Sequence, residues 1–120
     1  MKLGGPALYG TYGVADFVEN SSDAAVDYSE NDRNKTNIQP DCQSSWNYRA
    51  VKVLAMAINK VGKTEPQAIR DARLAVRGYQ GADGTYNFDK NGGGLHGYNV
   101  VKNENGTIVF DKHVDFYQPT

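Results

Sequence analysis

The run Gly92-Gly93-Gly94-Leu95-His96-Gly97 satisfies G-x-G-x-x-G, a spacing with which glycines can cradle a pyrophosphate. That chemistry needs a strand before the run and a helix opening on it, because the helix N-terminus holds the anion. Here strand-forming residues lie on both sides, so the run reads as a turn. Asp89-Lys90-Asn91 resembles the start of a calcium loop. Such a loop needs an oxygen ligand at its fifth position and a bidentate Glu at its twelfth, and those positions hold Gly93 and Val100. His96 and His113 lack a second ligand at helical spacing, which speaks against a transition-metal site. The single cysteine, Cys42, excludes an internal disulfide and a multi-cysteine zinc site, and reads as a partly buried thiol. Three Asn-x-Ser/Thr matches, at Asn20, Asn34 and Asn105, are expected by chance in an Asn-rich chain. No convergent acid–base or nucleophile set is visible, so neither a catalytic residue nor a metal or cofactor is predicted.

The elements that would position these residues follow from periodicity. Ala7 to Val14 has strand propensity weakened by Gly10 and Gly13. Ser21-Ser22 offers an N-cap for a helix over about Asp23 to Asn34, and Asn34 to Asp41 reads as a loop. The strongest signal comes next. Trp46, Ala50, Leu54, Ile58 and Val61 recur at helical steps, widened by Val51 and Ala57, with Ser44 or Ser45 as cap and Gly62 as stop. Thr64-Glu65-Pro66-Gln67 predicts a capping box for a further helix carrying Ile69, Ala72, Ala75 and Val76 and closed by Gly78. From Gly81 the period becomes two. Tyr86 and Phe88 alternate with Thr85 and Asn87, Asp89 to Gly92 is a turn, and Tyr98 to Val101 is a strand. Asn103 to Gly106 is a second turn, before a strand over Thr107 to Phe110 that His113 to Phe116 extends. The order is strand, three helices, β-meander. Tyr9, Tyr12, Trp46 and Tyr48 fall near element ends, where rings either fill the core or line a ligand cleft.

Composition bounds the function. The 120 residues suffice for one domain with a thin core, at 39% hydrophobic and 22% charged. A net charge of -1 leaves no electrostatic footprint for nucleic acid or an anionic membrane. The opening Met1-Lys2-Leu3-Gly4-Gly5-Pro6 lacks the apolar stretch of a secretory signal, so the chain reads as soluble and unaddressed, and an export signal would belong to a longer parent.

The order of phrases goes further. Leu8 to Phe17 (LYGTYGVADF), Ser44 to Ile58 (SSWNYRAVKVLAMAI), Val61 to Ala72 (VGKTEPQAIRDA) and Gly84 to Asp89 followed by Asn91, Gly92 and Gly94 stand in sequence, with Gly97 to Val101 and Asn105-Gly106 after them. Together they resemble the C-terminal segment of type I periplasmic solute-binding proteins of the branched-chain amino-acid ABC transporter family. The resemblance implies a partial α/β fold of that type, with residues 1–17 as a lobe-crossing strand, 18–80 as a helical part and 81–120 as a C-terminal β-meander within one unit. It implies non-catalytic capture of an amino acid or small amide between lobes, presentation to a membrane permease, and a periplasmic or cell-surface location for the parent. On this resemblance, Gln43 and Ser44 stand at the cleft edge, and Tyr9 and Tyr12 approach from the crossing strand. Faces that the rest of such a parent would cover should be exposed, favouring a homodimer or a domain-swapped assembly. The rival reading is a self-associating structural or regulatory fragment that binds no solute.

Overall fold

A computed structural model describes residues 4–115, apart from the side chain of Leu95. A 3-10 turn spans Gly5–Leu8 and is followed by β1 (Tyr12–Ala15), α1 (Asp23–Thr36), α2 (Cys42–Val61) and α3 (Pro66–Leu74). Then come β2 (Tyr79–Gly81), β3 (Gly84–Phe88), β4 (Gly94–His96), β5 (Tyr98–Glu104) and β6 (Thr107–Val114). The predicted continuation of the last strand to Phe116 passes beyond the described residues.

The chain is α/β, and its strands form two antiparallel three-stranded sheets. One has the order β1-β5-β6 and the other β2-β3-β4. The predicted meander therefore runs on strand by strand, but Gly97 divides it between the sheets. The helices pack with the second sheet. Tyr28 of α1 meets Tyr48 of α2 at 4.8 Å between rings, and Arg73 of α3 lies 5.5 Å over the ring of Phe88. The radius of gyration is 16.7 Å. A compact domain of this length would have about 13.6 Å. The molecule is thus two bodies: β1-β5-β6, and the helices with β2-β3-β4. Two short connectors join them, residues 16–22 and Gly97.

Local physics explains most boundaries. The first strand starts at Tyr12 and not Ala7 because Pro6 opens a 3-10 turn and Gly10 turns the chain at φ +81°. Ser22 caps α1 by accepting from the Ala25 N–H, as its sequence position suggested. The cap of α2 is Asp41, three residues before Ser44, and neither Ser44 nor Ser45. Asp41 accepts from the Ser44 N–H at 2.8 Å while the Ser44 hydroxyl accepts from the Asp41 N–H at 3.0 Å, a reciprocal box. The box predicted at Thr64 does not form. Glu65 takes the N-cap position without a side-chain bond, and Pro66 starts the helix. α3 ends at Leu74, so Gly78 lies past it in the link to β2. Asn105 (φ 52°) and Gly106 (φ 94°) form the two-residue turn between β5 and β6 that Asn-Gly favours.

The face of α2 turned inward differs from the predicted one. Ser45, Val53 and Ala57 are buried, while Trp46 (39% exposed), Leu54 (42%) and Val51 (67%) are open. The helix is rotated by about one residue, roughly 100°. The reason is Arg49, in line with Ser45 and Val53. Its guanidinium pairs with the fully buried carboxylate of Asp83 and lies 4.1 Å over the ring of Tyr86. A buried carboxylate without a partner is far more unfavourable than two half-exposed apolar side chains.

Replacing Arg49 with Met leaves Asp83 buried and unpaired. It is expected to lower the unfolding free energy by about 3–5 kcal/mol, with the double variant Arg49→Met/Asp83→Asn recovering part of the loss. Urea denaturation measures both. An Arg49→Met midpoint equal to that of the unsubstituted chain would refute the account of the α2 face.

Candidate functional site

The glycine run lies in the β3–β4 hairpin, with Gly94 already in β4. Asp89 shapes that turn by accepting from the Asn91 and Gly93 N–H groups through Oδ1. Gly94 is glycine for a steric reason: a Cβ there would fall 1.6 Å from the Tyr86 hydroxyl. The reading of the run as a turn holds for Gly92 and Gly93, while Gly94–His96 form β4 against the ring of Tyr86. No cluster of three His, Cys, Asp or Glu residues is placed to hold a metal among the described residues.

One concavity lies where β1 leaves its sheet and α2 begins. Val14, Ala15, Asp16, Phe17 and Glu19 form one wall, and Gln39, Pro40, Asp41, Cys42 and Trp46 the other. Its volume is ≈ 560 Å³, within the range of small-ligand sites. Each wall has a local cause. The capping box holds the first turn of α2, which fixes Cys42 and Trp46. On the other wall, Glu19 is clamped by Arg33 near the end of α1 and by the Gln39 amide from the following loop. The Arg33 hydrogen bond, then that of Gln39, holds the Glu19 carboxyl below its ordinary pKa. Behind the wall, Phe17 packs edge-on against Tyr28 at 5.6 Å. Burial pushes the Tyr28 phenol up. The groove therefore offers two aromatic rings, a thiol, and an acidic rim at Asp16, Glu19 and Asp41. Nothing in that set forms a nucleophile–base pair.

The residues expected at a cleft divide into two groups. Gln43 and Ser44 sit on the first turn of α2, directly after the groove residue Cys42. Gln43 is exposed, and the Ser44 hydroxyl is engaged in the cap, donating to the Asp41 carbonyl as well. Tyr12 is exposed at the far end of β1, opposite Lys102, and Tyr9 lies against the turn glycine Gly106. Trp46, one of the rings at predicted element ends, lines the groove. Phe17, Glu19 and Gln39 were not singled out. The Glu19 contacts link residues 14 and 20 positions apart, with no local spacing to announce them. Asp41 could have been found, since an Asp three residues before a Ser is a capping signal.

No family model matches this sequence, and no curated protein matches it. Solved structures do. The leucine-binding protein LivK of Thermotoga maritima superposes with a TM-score of 0.76 at 25% identity, covering 96% of this chain and 33% of that one. A putative branched-chain amino acid ABC transporter from Rhodospirillum rubrum gives 0.83 at 23% identity, over 92% of this chain and 33% of the other. A solute-binding protein of an ABC transporter from R. palustris, solved with benzoate, gives 0.72 at 16% identity over 95% and 33%. The chain has the α/β fold of a segment of these type I binding proteins and spans about one third of their length.

Glu19 makes the rim pH-sensitive in a definite direction. A carboxyl whose folded pKa is depressed contributes stability above its unfolded pKa, and that contribution is lost as pH falls through the folded value. Both Glu19 and Arg33 are about 40% exposed, so solvent screens the pair. Glu19→Gln is expected to lose about 0.2–1 kcal/mol at neutral pH, and the two melting curves should converge once pH falls below the folded pKa. A gap that persists under acid conditions would show that the carboxylate charge is not its source.

Proposed function

We propose that this chain is part of the solute-binding component of an ABC transporter for amino-acid uptake, and that it acts by non-catalytic ligand capture. One observation carries the proposal: 92–96% of the chain superposes on solute-binding proteins with TM-scores of 0.76 to 0.83. The groove supports it, since capture needs an apolar pocket with a few oriented polar groups and no reacting pair. In this reading residues 1–120 act as one unit. Phe17 and Trp46 contact the apolar part of an amino acid or small amide, and Gln43 with the first turn of α2 forms the cleft edge. Ser44 acts through the cap it completes. Tyr9 and Tyr12 approach from the side of the crossing strand. No cofactor is required. The partner is a membrane permease, and the place of action is the periplasm or cell surface, where such a component meets its solute.

A second reading, a self-associating fragment without solute binding, is favoured by one feature. Tyr12 (61% exposed), Val14 (71%) and the Trp46–Val51–Leu54 face of α2 are all open. Apolar surface of that kind promotes association. Sedimentation separates the two: a homodimer or domain-swapped assembly that melts without responding to any solute supports the fragment, and a chain monomeric at high concentration removes it.

Thermal unfolding with a panel of amino acids and small amides tests the main proposal. Free ligand at about 100 times its dissociation constant adds ~2.7 kcal/mol, several degrees in a domain this size. Trp46 is the only tryptophan, so its emission should change with the same ligands. A cooperatively melting protein with neither response to any of them would overturn solute capture by this chain.

A further inference from the structure

Both connectors between the two bodies meet the same pair of side chains. Asn99 of β5 is 1% exposed. Its amide N–H donates at 3.0 Å to the carbonyl of Asp16, the first residue of the 16–22 connector. Its amide oxygen lies 2.9 Å from His113 Nδ1, across the β5–β6 pair. That oxygen can only accept, so Nδ1 carries the proton. The imidazole then reaches over the other connector. A Cβ on Gly97 would fall 2.4 Å from His113 Nε2 and 2.5 Å from the Val114 carbonyl. The far edge of the ring reaches the second body, where a Cβ on Gly84 would lie 3.0 Å from His113 Cε1. Gly84 also has φ +106°, so it is glycine on two grounds. Outside the ring lies a cavity of ≈ 390 Å³ lined by Ser21 to Ala24, Gln80, Thr85 and His113 among others.

We infer that His113 is a wedge which, oriented by Asn99, sets the angle between the two bodies. His113 is exposed on its outer side, and its inner edge lies across Gly97 and against Gly84, while Asn99 fixes the direction in which residues 16–22 leave the first sheet. Without the ring, Gly97 is a one-residue link beside open space, and the bodies rotate about it. The wedge stands whether or not the groove captures a solute, because the distances that test it are read without ligand.

The test uses the full chain with Cys42→Ser and spin labels at Asn59→Cys on α2 and Thr107→Cys on β6, both exposed positions on different bodies. Labelled chain is diluted with unlabelled chain so that pulsed dipolar spectroscopy reads intramolecular distances. Removing the wedge with His113→Ala, or its orienting bond with Asn99→Ala, should broaden the distance distribution beyond that of the parent, as expected when a joint populates more than one arrangement. His113→Gln keeps a donor to Asn99 and should fall between His113→Ala and the parent. Val53→Ala weakens the α2 core at a buried position outside both connectors and should leave the width unchanged. The wedge is overturned if folded His113→Ala keeps the parent width, or if Val53→Ala broadens it equally. A further measurement needs no substitution at the joint. The imidazole nitrogen shifts of the unsubstituted chain should show the neutral His113 ring protonated at Nδ1, and a ring protonated at Nε2 instead would overturn the bond that orients it.

Discussion

The buried pair of Arg49 and Asp83 is the constraint on which the larger body depends. Asp83 sits in the turn between β2 and β3 with its carboxylate fully shielded from bulk solvent. Only a cation from a neighbouring element can stabilise its charge, and α2 supplies it from the middle of one face. That single requirement selects the face of a 20-residue helix. It also places the guanidinium on Tyr86, whose ring stacks on His96, which in turn meets Tyr98 across the joint at 4.9 Å. A charge pair inside the helical body is thereby connected, ring by ring, to β5 of the smaller body.

The same rotation makes the groove. With Arg49 turned inward, Trp46 lies on the side of the helix that meets the end of β1, where its ring joins Phe17 in lining the concavity. The core that results is thin and unusually polar. Asn87, Asn99 and Asn103 are among the largest fully buried side chains, each serving backbone groups that no strand satisfies. Asn87 accepts from the Gly78 N–H, Asn99 donates to Asp16, and Asn103 accepts from the Gly106 N–H. These amides hold the points where chain direction changes. They give geometry at the expense of apolar burial, which is why much of the apolar surface of α2 and β1 stays open.

Its resemblance to one third of several solute-binding proteins agrees with this balance. Those proteins include one solved with isoleucine and one with benzoate, so a shared scaffold accommodates ligands of different chemistry. If the chain captures a solute as proposed, its specificity lies in the walls of the groove, around Phe17 and Trp46. The two connectors, residues 16–22 and Gly97, are short, and Asn99 and His113 between them contact both.

What the sequence determined by itself is what depends on neighbours along the chain. Ser22 and Gly62 mark helix ends because capping involves residues three or four apart. Tyr86 and Phe88 share a face of β3 because strand period is two, and Asn105-Gly106 makes a hairpin because both positions need positive φ. The order of these phrases was enough to indicate the fold. The tertiary structure decided everything that needed partners distant in sequence. Hydrophobic periodicity placed Trp46, Ala50 and Leu54 inside because it ranks residues by their own transfer preference, and nothing local says that Arg49 will meet Asp83, 34 positions later. The break in the meander at Gly97, the pairing of β5 with β1, and the groove clamped by Glu19 are of the same kind. A buried charge or a crowded glycine acquires its meaning only from the atoms that surround it, and those are assembled by the fold.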